Sequence, residues 1–337
     1  MGALFMGNKV LLKVDSKVSA CIEDFLRLLL ACGMPKEDVI LVHTNGENME
    51  HLIKEVDPRM TLFTGSEKIA EKLSKLLSGR IKIEDAGFDW KILGPDVSDV
   101  DYIASLSDQD AYALSGQKCS AQSLLFVHKN WSEAKFLNKI KDLAERRSYK
   151  EGTLSPVLSW SNKAITNHVD NVLKIPGSQL LFGGMPVNEQ HTIPDIYGSY
   201  KPTAIFVPLK AFANKKYFET IKTELFGPFQ IVTEYSDKDL DLVLNALDSF
   251  HQMLTAGVVS NDKNFLHKVL SHSCNGVTYA GIRARTTGAP QNHWFGPCGD
   301  PRAGGIGTSE AIKYCWSSHR EIIMDSNSPK EIMITQS

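Results

Sequence analysis

The first 84 residues alternate short apolar runs with amphipathic stretches, and this alternation limits the fold more than any other feature of the sequence. Four apolar runs predict strands, at 9–14, 39–42, 60–63 and 81–83. The stretches between them, including 20–32 and 67–77, carry apolar residues at helical spacing. Strands joined through helices run parallel, because each helix returns the chain to the same end of the sheet. The sequence therefore predicts an α/β fold whose parallel sheet is covered by helices.

A larger mixed α/β region follows Glu84. Its predicted strands lie at 124–129, 204–209, 229–235 and 256–261, and its amphipathic helices at 130–147 and 237–250. The Gly/Pro/Asn-rich stretch 286–307 is long for a loop, and such loops usually bind a ligand. A chain of 337 residues with 42% hydrophobic content can bury two cores. We expect three segments: 1–83, 84–285 and 286–337.

Charge and cysteine usage exclude several classes of protein. The net charge is −2 and the charged residues are interspersed, which speaks against nucleic-acid and membrane-surface binding. No apolar run approaches the ~20 residues of a membrane span. The N-terminus lacks the pattern of a signal or transit peptide, and Met6 stands where a myristoylation signal needs Ser or Thr. Six scattered cysteines without a CxxC pair argue against a metal site or a disulfide framework, and for a reducing compartment.

Cys119 is the first candidate for chemistry. It follows a turn at Gly116 and the cation Lys118, and it precedes the helical-looking stretch 120–129. A thiol at a helix N-terminus beside a cation has a lowered pKa and is a better nucleophile. The alternative is a structural cysteine, which is the common role of a single cysteine in a globular chain.

Two further candidates follow strands. Glu84 ends the fourth predicted strand, 35 residues before Cys119, at the edge where open α/β sheets bind their ligands. Its alternative is a solvated surface acid. Residues 63–66, Phe-Thr-Gly-Ser, lead from a strand into a helix N-terminus, which favours an anion such as a pyrophosphate. The alternative there is ordinary helix capping by Ser66.

Two later segments complete the set. Residues 223–229, Thr-Glu-Leu-Phe-Gly-Pro-Phe, place an acid and an aromatic side chain before a tight turn. Residues 286–296 are rich in small residues whose backbone N–H groups could receive a carboxylate. Each segment is weak evidence when it is taken alone.

In this order, the segments resemble the aldehyde dehydrogenase superfamily. The matching residues span nearly the whole chain: Gly7-Asn8 with Lys13, Phe63 to Ser66, Glu84 with Gly87, Gly116 to Cys119, Glu224 to Pro228, and Phe295-Gly296. Residues 84–90, 115–122 and 286–297 are similar to one branch, the plant-type L-glutamate γ-semialdehyde (Δ1-pyrroline-5-carboxylate) dehydrogenases of proline breakdown. The resemblance implies an aldehyde dehydrogenase-like fold, with an incomplete Rossmann-type cofactor domain followed by a mixed α/β catalytic domain.

The resemblance also implies a reaction. The Cys119 thiolate adds to the aldehyde carbon, hydride passes to the nicotinamide, and Glu84 is the general base for the water that releases the acid. The implied cofactor contacts are Lys13 at the adenosine ribose, Ser66 at the pyrophosphate, Glu224 at the nicotinamide ribose and Phe226 beside the ring. The implied substrate contacts are Ser120, Gly288 and Ala289 at the α-carboxylate, and Phe295 in the wall of the aldehyde pocket.

Two departures from the family pattern leave alternatives open. Ser16 stands where the family usually has an acid that holds the adenosine ribose, so NAD is favoured by family habit while NADP stays open. We also expect no counterpart of the family's region before Gly7, which supplies strands, part of the oligomerisation element and an oxyanion-binding asparagine. The chain is therefore expected to be either an active homo-oligomeric enzyme or a catalytically impaired truncated isoform that pairs with full-length subunits. Resemblance implies the mitochondrial matrix, but the absence of a targeting segment leaves the cytoplasm open.

Overall fold

The computed structural model describes residues 1–85, 87–251, 253–287, 296 and 298–324. The strands within these residues are β1 (Val10–Lys13), β2 (Val39–Val42), β3 (Thr61–Thr64), β4 (Ile81–Glu84), β5 (Asp89–Leu93), β6 (Gln122–His128), β7 (Gln179–Phe182), β8 (Thr203–Phe206), β9 (Phe229–Tyr235), β10 (Thr255–Val259) and β11 (Val277–Ala280). The helices are α1 (Gly2–Phe5), α2 (Ser19–Ala31), α3 (Gly46–Val56), α4 (Glu67–Leu76), α5 (Val100–Tyr112), α6 (Lys129–Glu133), α7 (Phe136–Glu145), α8 (Asn162–Leu173), α9 (Lys215–Ile221), α10 (Leu240–Asp248), α11 (Lys263–Leu270) and α12 (Ser309–Trp316). Among the described helices, none combines the length and the apolar character needed to cross a membrane.

A seven-stranded sheet forms the centre of the molecule, in the order β11-β10-β5-β6-β9-β8-β7. Its strands are parallel except for β7, which runs antiparallel to β8. Every residue of β5, β6 and β10 is buried, as expected for central parallel strands covered on both faces. One apolar cluster includes Trp90 and Phe126, and a second includes Tyr112 and Trp131. The predicted α/β fold class is confirmed.

The first 84 residues differ from the prediction in one respect. They form two separate parallel pairs, β1 with β2 and β3 with β4, rather than one continuous sheet. Alternating strands and helices fix the direction of each strand, but they do not fix which strands become neighbours. The apolar cluster here is small, and its buried members are Ile53, Ala70, Leu73, Leu77, Ile81 and Ile83.

Two predicted helices are shorter than their apolar patterns suggested. The predicted helix at 130–147 is broken into α6 and α7, because Lys135 adopts a left-handed conformation with φ of 60°. The predicted helix at 237–250 begins with a 3-10 turn over Asp237–Asp239 before α10. Neither break carries a Gly or Pro signal in the sequence.

The stretch after Cys119 is a strand, which confirms the strand predicted at 124–129 and makes the helix suggested for 120–129 wrong. Residues 119–120 form a turn, and β6 begins at Gln122. All seven residues of β6 are buried, so the apolar run is continuous and does not alternate. A continuous run of this kind has no period that separates a buried strand from a buried helix. Cys119 therefore lies in the turn just before a central strand, not at a helix N-terminus.

A late segment of the chain returns to the first region. Ile83 in β4 donates a backbone hydrogen bond to Arg302 (2.8 Å), and Gly304 donates one to Ile83 (2.8 Å). The Arg302 side chain binds Glu71 on α4 (2.7 Å) and Asp300 (2.7 Å). Residues 298–304, called the return strap below, therefore border the strand that ends at Glu84.

Candidate active site

The turn before Cys119 is held in an unusual backbone conformation. Leu114, Ser115 and Gly116 all have positive φ, at 56°, 52° and 68°. Such conformations are costly for residues with a Cβ, and they cluster at functional sites. The Ser115 hydroxyl accepts a hydrogen bond from the backbone N–H of Ser155 (2.9 Å) and donates one to its carbonyl (3.0 Å). These two bonds fix the turn against a neighbouring loop.

Two glycines bring three sequence motifs into contact. A Cβ on Gly116 would lie 2.1 Å from the carbonyl oxygen of Gly227, so the Cys119 turn packs directly on the 224–228 segment. A Cβ on Gly87 would lie 2.3 Å from Oε1 of Glu224 and 3.0 Å from the carbonyl oxygen of Cys119. Only a residue without a side chain allows these approaches. The motifs around residues 84, 119 and 224 therefore meet at one place.

Glu84 is a buried carboxylate beside the thiol. It ends β4, is 8% exposed and lies opposite Thr64 at the end of β3. Burial raises its pKa, while hydrogen bonds from the Cys119 thiol and the Thr64 hydroxyl act in the opposite direction. Its Oε1 atom has no hydrogen-bond partner among the described residues. A carboxylate with a raised pKa and an unused oxygen suits a general base.

The Cys119 thiol is not activated in the way that the sequence suggested. Burial raises its pKa, and the charge of Glu84 and a hydrogen bond to it raise the pKa further. The expected cation is directed elsewhere, since the Lys118 ammonium donates to the carbonyl of Gln109 in α5 (2.8 Å). Burial lowers the pKa of Lys118 to about 8. The prediction of a thiol pKa lowered by a helix terminus and by Lys118 is therefore wrong.

Two more carboxylates with raised pKa values lie near Glu84. Burial raises the pKa of Glu224 to about 7, and the charges of Glu84 and Asp85 contribute. Burial also raises the pKa of Asp85 to about 6, with a contribution from Glu67. At neutral pH, Glu224 is therefore partly protonated and can both accept and donate hydrogen bonds.

Ser66 occupies the N-cap position of α4, where the sequence allowed either capping or anion binding. Its side chain makes no capping hydrogen bond to the helix. Capping by the Ser66 hydroxyl, the alternative interpretation, is therefore not observed. The preceding Gly65 donates its N–H to the carbonyl of Glu84 (3.2 Å), which places this helix N-terminus directly beside the buried carboxylate.

Lys13 lies at the end of β1, outside the cluster around Cys119. The same stretch is nevertheless connected to the turn before Cys119, because the Lys17 ammonium donates to the carbonyl of Leu158. The N–H of Leu158 in turn donates to Oε1 of Gln117 (2.8 Å), two residues before Cys119. Ser16, at the position of the family's acid, is exposed.

The substrate residues are only partly described. Ser120 directly follows Cys119 and is 6% exposed, and Phe226 is half-buried between Glu224 and the turn at Gly227. Three predicted residues lie outside the described residues: Gly288, Ala289 and Phe295. For these three, the roles stay predictions.

Asp110 anchors the start of the loop that contains those residues, and sequence reasoning missed it. This buried carboxylate binds the Lys91 ammonium (2.8 Å), the Arg285 guanidinium (2.9 Å) and the backbone N–H of Thr286 (3.0 Å). Lys91 and Asp110 are both fully buried. The sequence could have indicated this partner through Lys91, which lies in an apolar run, because a buried ammonium requires a buried partner.

The assembled groups support nucleophilic and acid–base chemistry. A thiol lies beside a buried carboxylate, and a second carboxylate and a helix N-terminus that could receive an anion lie nearby. Within the described ranges, no three His, Cys, Asp or Glu side chains are grouped as metal ligands.

Comparisons with known proteins identify the relatives of this chain. The sequence profile of the aldehyde dehydrogenase family matches residues 1–319. The chain is 59% identical over 326 residues to the mitochondrial Δ1-pyrroline-5-carboxylate dehydrogenase 12A1 of Arabidopsis thaliana, which covers 96% of this chain and 58% of that protein. It is 58% identical to a probable aldehyde dehydrogenase of Linum usitatissimum, covering 96% of this chain and 59% of that protein. The chain thus spans under two thirds of the length of these relatives.

Among solved structures, the crystal structure of PnpE in complex with nicotinamide adenine dinucleotide has a TM-score of 0.80. It is 21% identical and covers 93% of this chain and 63% of that one. At this identity the similarity establishes the fold.

Proposed function

The chain belongs to the aldehyde dehydrogenase family, and on that premise we propose that it oxidises L-glutamate γ-semialdehyde, formed from Δ1-pyrroline-5-carboxylate, to L-glutamate. The observation that carries the proposal is the position of the buried Glu84 carboxylate beside the Cys119 thiol, close enough for its charge to raise the thiol pKa. The choice of substrate rests on the relative at 59% identity, whose name states Δ1-pyrroline-5-carboxylate dehydrogenase.

Cys119 and Glu84 divide the reaction between them. The sulfur of Cys119 adds to the aldehyde carbon and forms a thiohemiacetal. A nicotinamide cofactor supplies the hydride acceptor for this chemistry when it is bound, and a thioester on Cys119 results. Glu84 then takes a proton from water at its unpaired Oε1 atom while the water attacks the thioester carbon. L-Glutamate leaves and the Cys119 thiol is restored.

The residues that would hold the cofactor fit a dinucleotide. Ser66 and the N-terminus of α4 would hold the pyrophosphate, because the hydroxyl is not used as a helix cap. Glu224, with a pKa of about 7, would bind the hydroxyls of the nicotinamide ribose, and Phe226 would pack beside the ring. Lys13 would contact the adenosine ribose. NAD is preferred over NADP by family habit.

The substrate would be held at its two ends. Ser120, Gly288 and Ala289 would bind the α-carboxylate, and Phe295 would form part of the pocket wall. When the carboxylate is held, the aldehyde lies within reach of the sulfur, so the addition step becomes effectively unimolecular. The cluster at Asp110 supports this by fixing Thr286 at the start of the loop.

Location, assembly and domain division complete the proposal. The name of the Arabidopsis relative includes the word mitochondrial, which supports a mitochondrial location, and the matrix is proposed from the family resemblance. Assembly is proposed as a homo-oligomer or as pairing with full-length subunits. The cofactor-binding part is placed at 1–83, the catalytic part at 84–285, and the substrate anchor with the C-terminal return at 286–337.

The test is turnover by the purified chain. We expect NADH formation with Δ1-pyrroline-5-carboxylate, and a loss of at least about 10³-fold in Cys119→Ser because the nucleophile is removed. The matched control is Cys21→Ser, on the exposed face of α2, which keeps wild-type activity. A folded chain without turnover contradicts the proposal, and activity that appears only with full-length subunits supports the alternative of a catalytically impaired partner.

A further inference from the structure

Two cysteines that the proposed reaction does not use lie in direct contact. The sulfur atoms of Cys274 and Cys298 are 2.9 Å apart, although the residues are separated by 24 positions in the sequence. Cys274 is exposed in the loop between α11 and β11, and Cys298 is half-buried at the start of the return strap. One thiol therefore donates a hydrogen bond to the other, and this bond raises the pKa of Cys274.

The backbone holds both cysteines in place. The N–H of Cys298 donates to the carbonyl of Met253 (3.1 Å). The N–H of Gly276, two residues after Cys274, donates to the same carbonyl (2.8 Å). Both segments are therefore fixed to one backbone group just before β10, so the contact between the sulfurs does not depend on side-chain position alone.

Both sulfurs border open cavities. Cys298 lines a cleft of about 540 Å³ together with Asp85, His251 and Arg302. Cys274 lines a neighbouring cavity of about 340 Å³ together with Trp90 and Asn275. Solvent and small thiol reagents can therefore reach the pair from two sides.

We propose that Cys274 and Cys298 form a reversible disulfide by exchange with a small-molecule disulfide such as glutathione disulfide. The thiolate of exposed Cys274 attacks one sulfur of the reagent, forms a mixed disulfide and releases one glutathione thiolate. The thiolate of Cys298 then attacks the Cys274 sulfur and releases the second glutathione. The two protein thiol protons end on the two released thiolates, so the protein is oxidised by two electrons and the reagent is reduced.

The other four cysteines offer no such pair. Cys21 and Cys32 are exposed and have no sulfur contact, and the Cys315 thiol donates to the carbonyl of Gly305 (3.2 Å). Cys119 lies beside the Glu84 carboxylate and has no sulfur contact among the described residues. Oxidation is therefore expected to select the pair at 274 and 298.

The bond would fasten the return strap to the central region. Cys298 begins the strap, whose Arg302 and Gly304 hydrogen-bond to Ile83, the residue before Glu84. Linking Cys298 to the loop before β11 limits the opening of this segment. Oxidation therefore connects the redox state of the surroundings to the strand that carries the proposed base.

The test oxidises the full chain with glutathione disulfide and maps its thiols by mass spectrometry after denaturation. The six free thiols should fall to four, with a peptide link between Cys274 and Cys298 that dithiothreitol removes. Hydrogen exchange at the amides of Ile83 and Gly304 should slow at least twofold in the oxidised protein.

Variants distinguish pairing from general reactivity. Cys274→Ser and Cys298→Ser should each leave a glutathione adduct on the remaining partner, while Cys32→Ser should still form the link. The proposal is overturned if no 274–298 peptide forms, or if it forms only after denaturant is added. It is also overturned if Cys21 and Cys32 link as readily. None of these outcomes depends on turnover, so the proposal stands or fails separately from the proposed function.

Discussion

The central sheet and the first 84 residues differ in how deeply their strands are buried. Every residue of β5, β6 and β10 is buried, whereas β1 and β2 contain no fully buried residue and neither does α2. Cys119 is carried by the first of these regions, and Glu84 ends a strand of the second. The Cys119 thiol is therefore supported by strands that are fully covered, whereas the position of the Glu84 carboxylate depends on a region with few buried residues.

Contacts between the two regions determine whether the pair keeps its geometry. Gly87 packs against Glu224 and Cys119, Lys17 reaches the loop that binds the turn before Cys119, and the return strap borders β4. Changes in the two regions should therefore have unequal effects on stability, and some should act on the site alone.

The largest difference is expected between a buried and an exposed ion pair. Asp110→Ala leaves the Lys91 ammonium fully buried without its partner, which should lower the free energy of unfolding by about 3–5 kcal/mol. Glu50→Ala, which removes the exposed pair with Lys72 in the first region, should cost less than about 1 kcal/mol. Urea denaturation measures both.

A double variant separates the charge from its packing. Lys91→Met with Asp110→Leu removes both charges and should recover part of the loss. If Asp110→Ala and Glu50→Ala lowered the free energy of unfolding equally, the proposed difference between the two regions would be contradicted.

A smaller effect is expected at Glu224, in the dependence of stability on pH. Its pKa of about 7 in the folded chain lies above the ordinary value of 4.5, so folding favours the protonated form. This contribution is complete below about pH 4.5 and is lost as the pH rises through about 7. The wild-type free energy of unfolding should therefore fall between about pH 4.5 and 7, and in Glu224→Gln this fall should be smaller by roughly 1–3 kcal/mol. Urea denaturation without cofactor measures both.

Asp241 provides a control of opposite sign. A hydrogen bond from Lys268 lowers its pKa, so its contribution is present above the ordinary pKa and is lost in acid. Asp241→Asn should leave the slope between about pH 4.5 and 7 as in the wild type. A Glu224→Gln slope identical to the wild-type slope would show that this carboxylate does not titrate there.

The smallest effect is expected for the clamp on the return strap. Arg302→Ala removes the bonds to Glu71 and Asp300, and because these groups are partly exposed the cost should be about 1 kcal/mol. Hydrogen exchange at Ile83 should accelerate, whereas Arg27→Ala, which removes an exposed pair on α2, should leave it unchanged. If both variants behave alike, the strap does not support β4.

The sequence predicted the fold where a pattern was local. The alternation in the first 84 residues identified β1 to β4 within one or two residues, including Glu84 at a strand end. The apolar pattern did not reveal β5, because Asp89 and Lys91 interrupt its apolar run. Lys91 is tolerated in this buried strand only through its contact with Asp110. That partner lies in α5, at a distance no local pattern records.

The sequence predicted which residues come together in the site better than it predicted their pKa values. Motif order brought Glu84, Cys119 and Glu224 into consideration together, and the structure brings their three motifs to one place through Gly87 and Gly116. The pKa of the thiol was predicted in the wrong direction. Its value depends on burial and on the direction of the Lys118 side chain, which follows the carbonyl of Gln109 rather than the sulfur.

The most direct test of the account is the rate at which Cys119 is alkylated in Glu84→Gln. The account holds that the Glu84 charge raises the pKa of the thiol, so removing it should increase the rate of iodoacetamide labelling of Cys119 at pH 8 by about tenfold for one unit of pKa. Labelling of Cys21 in the same sample provides the internal control. An unchanged or slower rate at Cys119 would contradict the account, because it would mean that Glu84 does not suppress the thiolate.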